Sequence, residues 1–317
     1  MTTPAGQGKI LLSVTGFQPK RWHELLSAQR EVVLEPDGPD DPSVTYAVVW
    51  KQRPGILSKL PNLRAIFSIG AGVDHIFNDP GVPDVPIVRV VADNLTQYMT
   101  EYVVWRVLDH HRQGALYRSQ QPRKVWHEPA QASADSVAVG IMGLGQLGRS
   151  AAKALLALGF QVNGWSRKGQ PVEGVSSFQG AEGLNPFLDA TDILVVLLPL
   201  TPATEGIVNY DLLKRLRRDN ATGGAVLINA GRGRLQRDDD ILRALNDGIL
   251  KEASLDVFEQ EPLPETSALW THPNVFVTPH AAATSDPAHL AGPMLAQMDA
   301  FERGEPLQNL VDRMAGY

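Results

Sequence analysis

The sequence predicts an α/β protein built around a doubly wound parallel sheet, with a second, smaller α/β unit assembled from both ends of the chain. Three observations carry this. An apolar run over 137–142 leads directly into Gly143-Leu-Gly-Gln-Leu-Gly148 and then into a helical pattern. Short apolar runs alternate with amphipathic stretches along almost the whole chain, the pattern of strands joined by crossover helices. The glycine motif also lies near the middle of the 317 residues, so a comparable length must fold ahead of it.

Taken in order, 9–14 reads as a strand, 21–29 as a helix and 46–50 as a strand. A short helix follows at 56–59, then a strand at 64–69 closed by Gly70-Ala-Gly-Val-Asp74. Residues 96–114 form one long helix with Met99, Val103, Val107 and Leu108 as its apolar stripe. Residues 117–136 are polar, contain proline and Trp126, and read as an excursion. Beyond the glycine motif, strands are expected at 160–165, 193–198, 225–229, 253–256 and 275–277, with helices around 210–216, 238–247 and 287–303. Entry near 104 and exit near 284 means two crossings. Residues 1–104 and 285–317 are therefore assigned to one unit and 105–284 to the nucleotide-binding one.

Composition narrows the function classes. A formal charge of −6 provides no basic field for nucleic acid. The longest apolar run, 193–200, is interrupted by Pro199 and is far short of the roughly 20 residues of a membrane span. The first nine residues lack the apolar core of a signal peptide, so the cytoplasm is the expected compartment. With no cysteine there is no disulfide, thiolate metal site or cysteine nucleophile, and no metal-ligand set is read elsewhere.

The glycine motif has the context of a dinucleotide fingerprint. Gly143 permits the tight turn, Gly145 lets backbone approach a pyrophosphate, and Gly148 lets helix and strand pack closely. An acidic residue about 20 positions on would bind the ribose of NAD. Here Ser166 stands 18 residues after Gly148, followed by Arg167 and Lys168. A hydroxyl and two cations attract a 2′-phosphate that a carboxylate would repel, so NADP is preferred and NAD remains possible. A solvated basic turn is the alternative.

Three later strands end in polar residues at positions where such a sheet binds ligands. Asn229-Ala-Gly-Arg-Gly233 places Arg232 between glycines, 256–262 carries Asp256, Glu259 and Glu261, and Thr278-Pro-His280 presents an imidazole. Singly, each fits a surface charge or a turn. Together they make a site for reducing a 2-oxo acid. The guanidinium fork suits a carboxylate and a carbonyl oxygen. Histidine suits proton delivery near neutral pH, and a neighbouring carboxylate favours its charged form.

At this point the chain resembles the D-isomer-specific 2-hydroxyacid dehydrogenase family over nearly its whole length. The motifs are Gly143 to Gly148, Leu198-Pro-Leu-Thr-Pro202, Arg232 between glycines, Asp256-Val-Phe258 with Glu261-Pro262, and Pro279-His280. Gly70 to Asp74, Trp165-Ser-Arg167 and the ending Val311-Asp-Arg-Met-Ala-Gly-Tyr317 resemble its NADPH-dependent glyoxylate/hydroxypyruvate-reducing branch. The resemblance implies a Rossmann nucleotide domain, a flavodoxin-like lid domain built from both termini, and a homodimer. It implies Arg232 as substrate anchor, His280 as proton donor and Glu261 as its partner. Ala71, Gly72 and Val73 would take the substrate carboxylate, with Trp50 and Met99 lining its pocket. Cofactor contacts would come from Gln146, Leu147, Leu198, Pro199, Thr204, Ala230, Gly231, Asp256 and Ala282. Ala281-Ala-Ala283 departs from the glycines that many members carry after the histidine. Another member acting on a different 2-oxo acid, and a nucleotide-sensing binding protein of the same fold, remain alternatives.

Overall fold

The computed structural model describes residues 7–16, 18–34, 41–79, 81–167 and 171–317. The chain opens with β1 (Lys9–Val14), α1 (Lys20–Ser27), β2 (Val32–Leu34), β3 (Val44–Trp50), β4 (Ala65–Ser68), the single turn α2 (Asp74–Phe77) and β5 (Ile87–Val88). The strands form one all-parallel sheet in the order β2-β1-β3-β4-β5, which is the flavodoxin-like order. Central strands covered on both faces need continuous apolar runs. Ile10-Leu-Leu12, Tyr46 to Val49 and Ala65-Ile-Phe67 supply them, all essentially buried.

The chain divides into two compact units, at Leu95/Thr96 and at Thr284/Ser285. The first division falls inside α3 (Asp93–His111), upstream of the 104/105 position read from the sequence. Next come α4 (Gly114–Gln120), β6 (Ala138–Met142), α5 (Gln146–Ala157), β7 (Gln161–Ser166), β8 (Ser176–Gln179), α6 (Gly180–Asp189), β9 (Ile193–Val196), α7 (Tyr210–Leu213), β10 (Ala225–Asn229), α8 (Asp238–Asn246), β11 (Leu250–Leu255) and β12 (Val275–Val277). Their seven strands are parallel in the order β12-β11-β10-β9-β6-β7-β8. The order reverses between β6 and β9. At that switch point the carboxyl ends of the strands diverge and leave a crevice for a ligand. Two apolar clusters flank this sheet, one around Phe187, Leu213 and Leu227, the other around Val107, Val139 and Leu155.

Helix α9 (Pro287–Glu302) returns to the first unit and packs on α1. Asp286 caps it by accepting from Ala288 N, and Pro287 occupies its first turn. Arg30, whose side chain is fully buried, joins this helix to the sheet. It donates to both carboxylate oxygens of Glu302, to Asp299 and to the Gly8 carbonyl.

Several elements have no sequence signal of their own, among them α4, which runs to Gln120 into the stretch read as an excursion. β2 and β5 are edge strands of three and two residues. β8 is polar and mostly exposed. α6 holds Gly183 and Pro186 against helix propensity, and it forms because Phe187 and Leu188 are buried.

Candidate active site

The glycine turn follows β6 at the switch point. Gly143 has φ +107°, and a Cβ there would lie 2.7 Å from the Leu197 carbonyl oxygen, so no other residue fits without strain. A Cβ on Gly148 would sit 2.0 Å from the Gly143 oxygen, which is how α5 comes close to the strand. Gly145, by contrast, opens onto free space at the N-terminus of α5, beside exposed Gln146. A bare, donor-rich helix start of this kind fits a pyrophosphate. Leu147 is half-buried behind it. The Gly143 N–H donates to the Trp165 carbonyl (2.9 Å), which brings the end of β7 alongside the turn. There Ser166 is half-buried and Arg167 exposed. Lys168 lies outside the described residues.

Opposite β6, β9 ends near Leu198 and Pro199. The Thr204 hydroxyl donates to the Pro199 carbonyl (2.7 Å) and accepts from Thr201 N (2.8 Å), which folds this loop back on itself. Ala230, buried after β10, donates its N–H to Val196 O. The loop beyond β10 is held by buried Asn229, whose Oδ1 accepts from Gly231 N (3.0 Å) and whose Nδ2 donates to the Arg232 carbonyl (3.2 Å). Arg232 is extended and half-buried, and its Nη1 donates to the Gly231 carbonyl (2.8 Å). A Cβ on Gly233 would be 1.7 Å from the Phe258 carbonyl oxygen, so this loop lies directly on the one after β11.

That second loop carries Glu261. Its Oε1 accepts from Phe258 N (3.3 Å), and its Oε2 is 2.9 Å from His280 Nδ1. His280 follows β12 with φ +54°, a left-handed conformation that is strained for a residue with a side chain. Asp256, 1% exposed, anchors the turn. Its carboxylate accepts from the Thr278 hydroxyl (2.6 Å), Ala281 N (2.8 Å) and buried Ala282 N (3.0 Å), and its carbonyl accepts from His280 N (2.7 Å). Thr278 is in turn 2.8 Å from the Tyr102 hydroxyl, which burial pushes up to about 12. Asp256 therefore has a direct task in this chain, holding the histidine turn. Glu259 points elsewhere, pairing with Arg237 and accepting from Asp238 N.

In the first unit, β3 ends at Trp50 and β4 leads into the Gly70 to Val73 turn. A Cβ on Gly70 would meet the Trp50 ring at 2.0 Å, so ring and turn are in direct contact. Buried Ser68 accepts from Gly70 N and donates toward the carbonyls of Gly70 and Gly72. His75 lies 3.3 Å from the Ser68 hydroxyl, 3.0 Å from Gln52 Oε1 and edge-on to Trp50. Ala71 and Gly72 are half-buried and Val73 is buried. Met99 belongs to the second unit, buried with Val103 and Val107.

Ser68, His75, Asn229 and Thr278, with buried Gln236 accepting from Asn229 Nδ2 (2.7 Å), are the supporting residues that sequence reading missed. Only the polar character of Asn229 and Thr278 at strand ends hinted at them.

Comparison with known proteins matches residues 104–282 to the NAD-binding domain of the D-isomer specific 2-hydroxyacid dehydrogenases. A glyoxylate/hydroxypyruvate reductase A of Serratia proteamaculans is 39% identical over 88% of this chain and 89% of its own. The NADPH-dependent glyoxylate/hydroxypyruvate reductase of Sinorhizobium meliloti, solved with NADP and sulfate, superposes with a TM-score of 0.93 at 45% identity, covering 98% of this chain and 100% of that one. A D-isomer specific 2-hydroxyacid dehydrogenase of Xanthobacter autotrophicus, solved with NADPH and MES, gives 0.91 at 38% identity, again over 98% and 100%.

Proposed function

This chain belongs to the family of D-isomer specific 2-hydroxyacid dehydrogenases, and from that premise we propose that it is an NADPH-dependent reductase of small 2-oxo acids. It turns glyoxylate into glycolate and hydroxypyruvate into D-glycerate. The observation that carries this reading is the His280–Glu261 contact, held on a turn anchored by Asp256, with Arg232 at the end of β10 in the same unit.

The residues divide the work as follows. NADPH, when bound, supplies the hydride to the carbonyl carbon. The Gly143 to Gly148 turn and the α5 N-terminus would hold its pyrophosphate, and Ser166, Arg167 and Lys168 would take its 2′-phosphate. Leu198, Pro199, Thr204, Ala230, Gly231 and Ala282 provide its remaining contacts. Arg232 grips the substrate carboxylate and the carbonyl oxygen, where negative charge develops. His280 donates its Nδ1 proton as a hydrogen bond to Glu261 and transfers the Nε2 proton to that oxygen, completing the hydroxyl. Solvent then reprotonates Nε2. We also assign Ala71, Gly72 and Val73, with Trp50 and Met99, to substrate binding.

We assign the protein to the cytoplasm and to a homodimer formed through the nucleotide-binding unit. Half-exposed Trp105 and fully exposed Trp126 support an apolar contact on that unit. Among the described residues no helix is long and apolar enough to cross a membrane.

The test is a steady-state panel of 2-oxo acids with NADPH and with NADH. Glyoxylate and hydroxypyruvate should be reduced fastest, and NADPH should be favoured. NADPH binding without oxidation by any 2-oxo acid would replace this reading with that of a nucleotide sensor.

A further inference from the structure

We propose that Gln236 is a positioning residue for Arg232, and that through Arg232 it sets the grip on the 2-oxo acid. The inference rests on the assignment of Arg232 to the substrate. Gln236 is 0% exposed, and every polar atom of its amide has a partner. Oε1 accepts from Asn229 Nδ2 (2.7 Å), while Nε2 donates to the Val257 carbonyl (3.1 Å) and to Asp238 Oδ1 (2.7 Å).

Both amides have one allowed orientation. Val257 O and Asp238 Oδ1 only accept here, so the Gln236 NH2 must face them. Gly231 N donates to Asn229 Oδ1, so the Asn229 NH2 must face Gln236 and the Arg232 carbonyl. Two buried amides thus run in series from the backbone of Arg232 to Val257, the neighbour of the Phe258 N–H that donates to Glu261. Gln236 joins the loop of the substrate anchor to the loop of the histidine's partner. An apolar side chain of equal size would leave the Val257 carbonyl, the Asp238 oxygen and one Asn229 proton without this partner inside the protein, and the Arg232 turn would drift to recover them. Small displacements of a group that must meet both a carboxylate and a developing oxyanion have large rate effects.

A purely structural staple would lower stability yet leave folded molecules with parental kinetics. A double-mutant cycle separates the two, with kcat and KM for glyoxylate and an NADPH fluorescence titration on each protein. Gln236→Leu should raise the glyoxylate KM about tenfold and lower kcat, with NADPH affinity within about twofold of the parent. In an Arg232→Lys background the same change should alter either constant by less than about twofold, because the fork it positions is already gone. Gln236→Glu, which keeps the size but cannot donate to Val257, should repeat the pattern and serves if the leucine variant does not fold. Multiplicative losses in the double variants, or a lowered melting temperature with parental KM, would overturn the proposal alone. Parental kinetics for Arg232→Lys by itself would overturn the underlying assignment as well.

Discussion

Replacing Asp256 with asparagine removes one charge and almost no volume from the turn that carries His280. The carboxylate takes two hydrogen bonds on Oδ1, from Thr278 Oγ1 and Ala281 N, and one on Oδ2, from Ala282 N. An asparagine satisfies the first two best by keeping its oxygen there, which turns its NH2 against the Ala282 N–H. One charge-assisted bond of roughly 1.5–3 kcal/mol is then lost, and the other two weaken toward the roughly 1 kcal/mol of neutral bonds. Relief of burying a charge opposes this. The net expectation is a loss of about 2–3 kcal/mol. At roughly 2–4 °C per kcal/mol for a unit of this size, melting should fall by about 5–10 °C. Kinetics should suffer as well. His280 sits at φ +54°, a conformation costing about 1–3 kcal/mol that lasts only while its surroundings enforce it. Once the turn relaxes, the imidazole leaves its place beside Glu261, and glyoxylate turnover should drop at least about tenfold. Circular dichroism melting and steady-state assays on Asp256→Asn read both effects. Parental melting and turnover together would refute the idea that this carboxylate holds the histidine turn.

Arg167→Ala should raise the KM for NADPH about ten- to a hundredfold more than that for NADH, the worth of a charge-assisted phosphate bond. Equal effects on the two cofactors would make the basic turn a mere surface. Arg30→Met should destabilise the first unit by about 3 kcal/mol in urea unfolding, at the low end for a broken buried ion pair because Asp299 and Glu302 keep some solvent. The same cluster gives a pH dependence. Burial pushes the Glu302 carboxyl up, but its Arg30 bonds and the Gly8 N–H outweigh this and hold it below the ordinary range. A depressed carboxyl contributes stability that is present above its unfolded value near 4.5 and lost as pH falls through its folded value. Parent stability should therefore decline below about pH 5 more steeply than that of Arg30→Met, and parallel curves would contradict the assignment.

The parts legible in the sequence are those whose physics is local. The glycine turn announces itself because an apolar strand, φ-permissive residues and a helix start follow one another within a few positions. The long central strands are legible because burial on both faces demands unbroken apolar runs such as 193–196 and 225–229. The contact between His280 and Glu261 spans nineteen residues and has no periodicity. It became an expectation only through the family resemblance. Gln236, Ser68 and His75 were invisible, since each is an ordinary polar residue whose role depends on partners from other loops. Strand β8 was missed because its edge position leaves it polar, and α6 because glycine and proline mask a helix formed by packing.

The anchoring of α9 on Arg30 has a consequence for synthesis. The five strands of the first sheet leave the ribosome well before the helix that supplies its counter-charges, with about 200 residues between β5 and α9. At roughly 5–20 residues per second, that is an interval of about 10–40 s. Throughout it the nascent sheet holds a guanidinium meant for the interior, and the face of α1 that awaits α9 is bare. A premature stop anywhere between Ser285 and Asp299 would prolong this interval indefinitely. It would release a chain whose central unit is complete and whose first unit never closes, a natural client for chaperones and proteases.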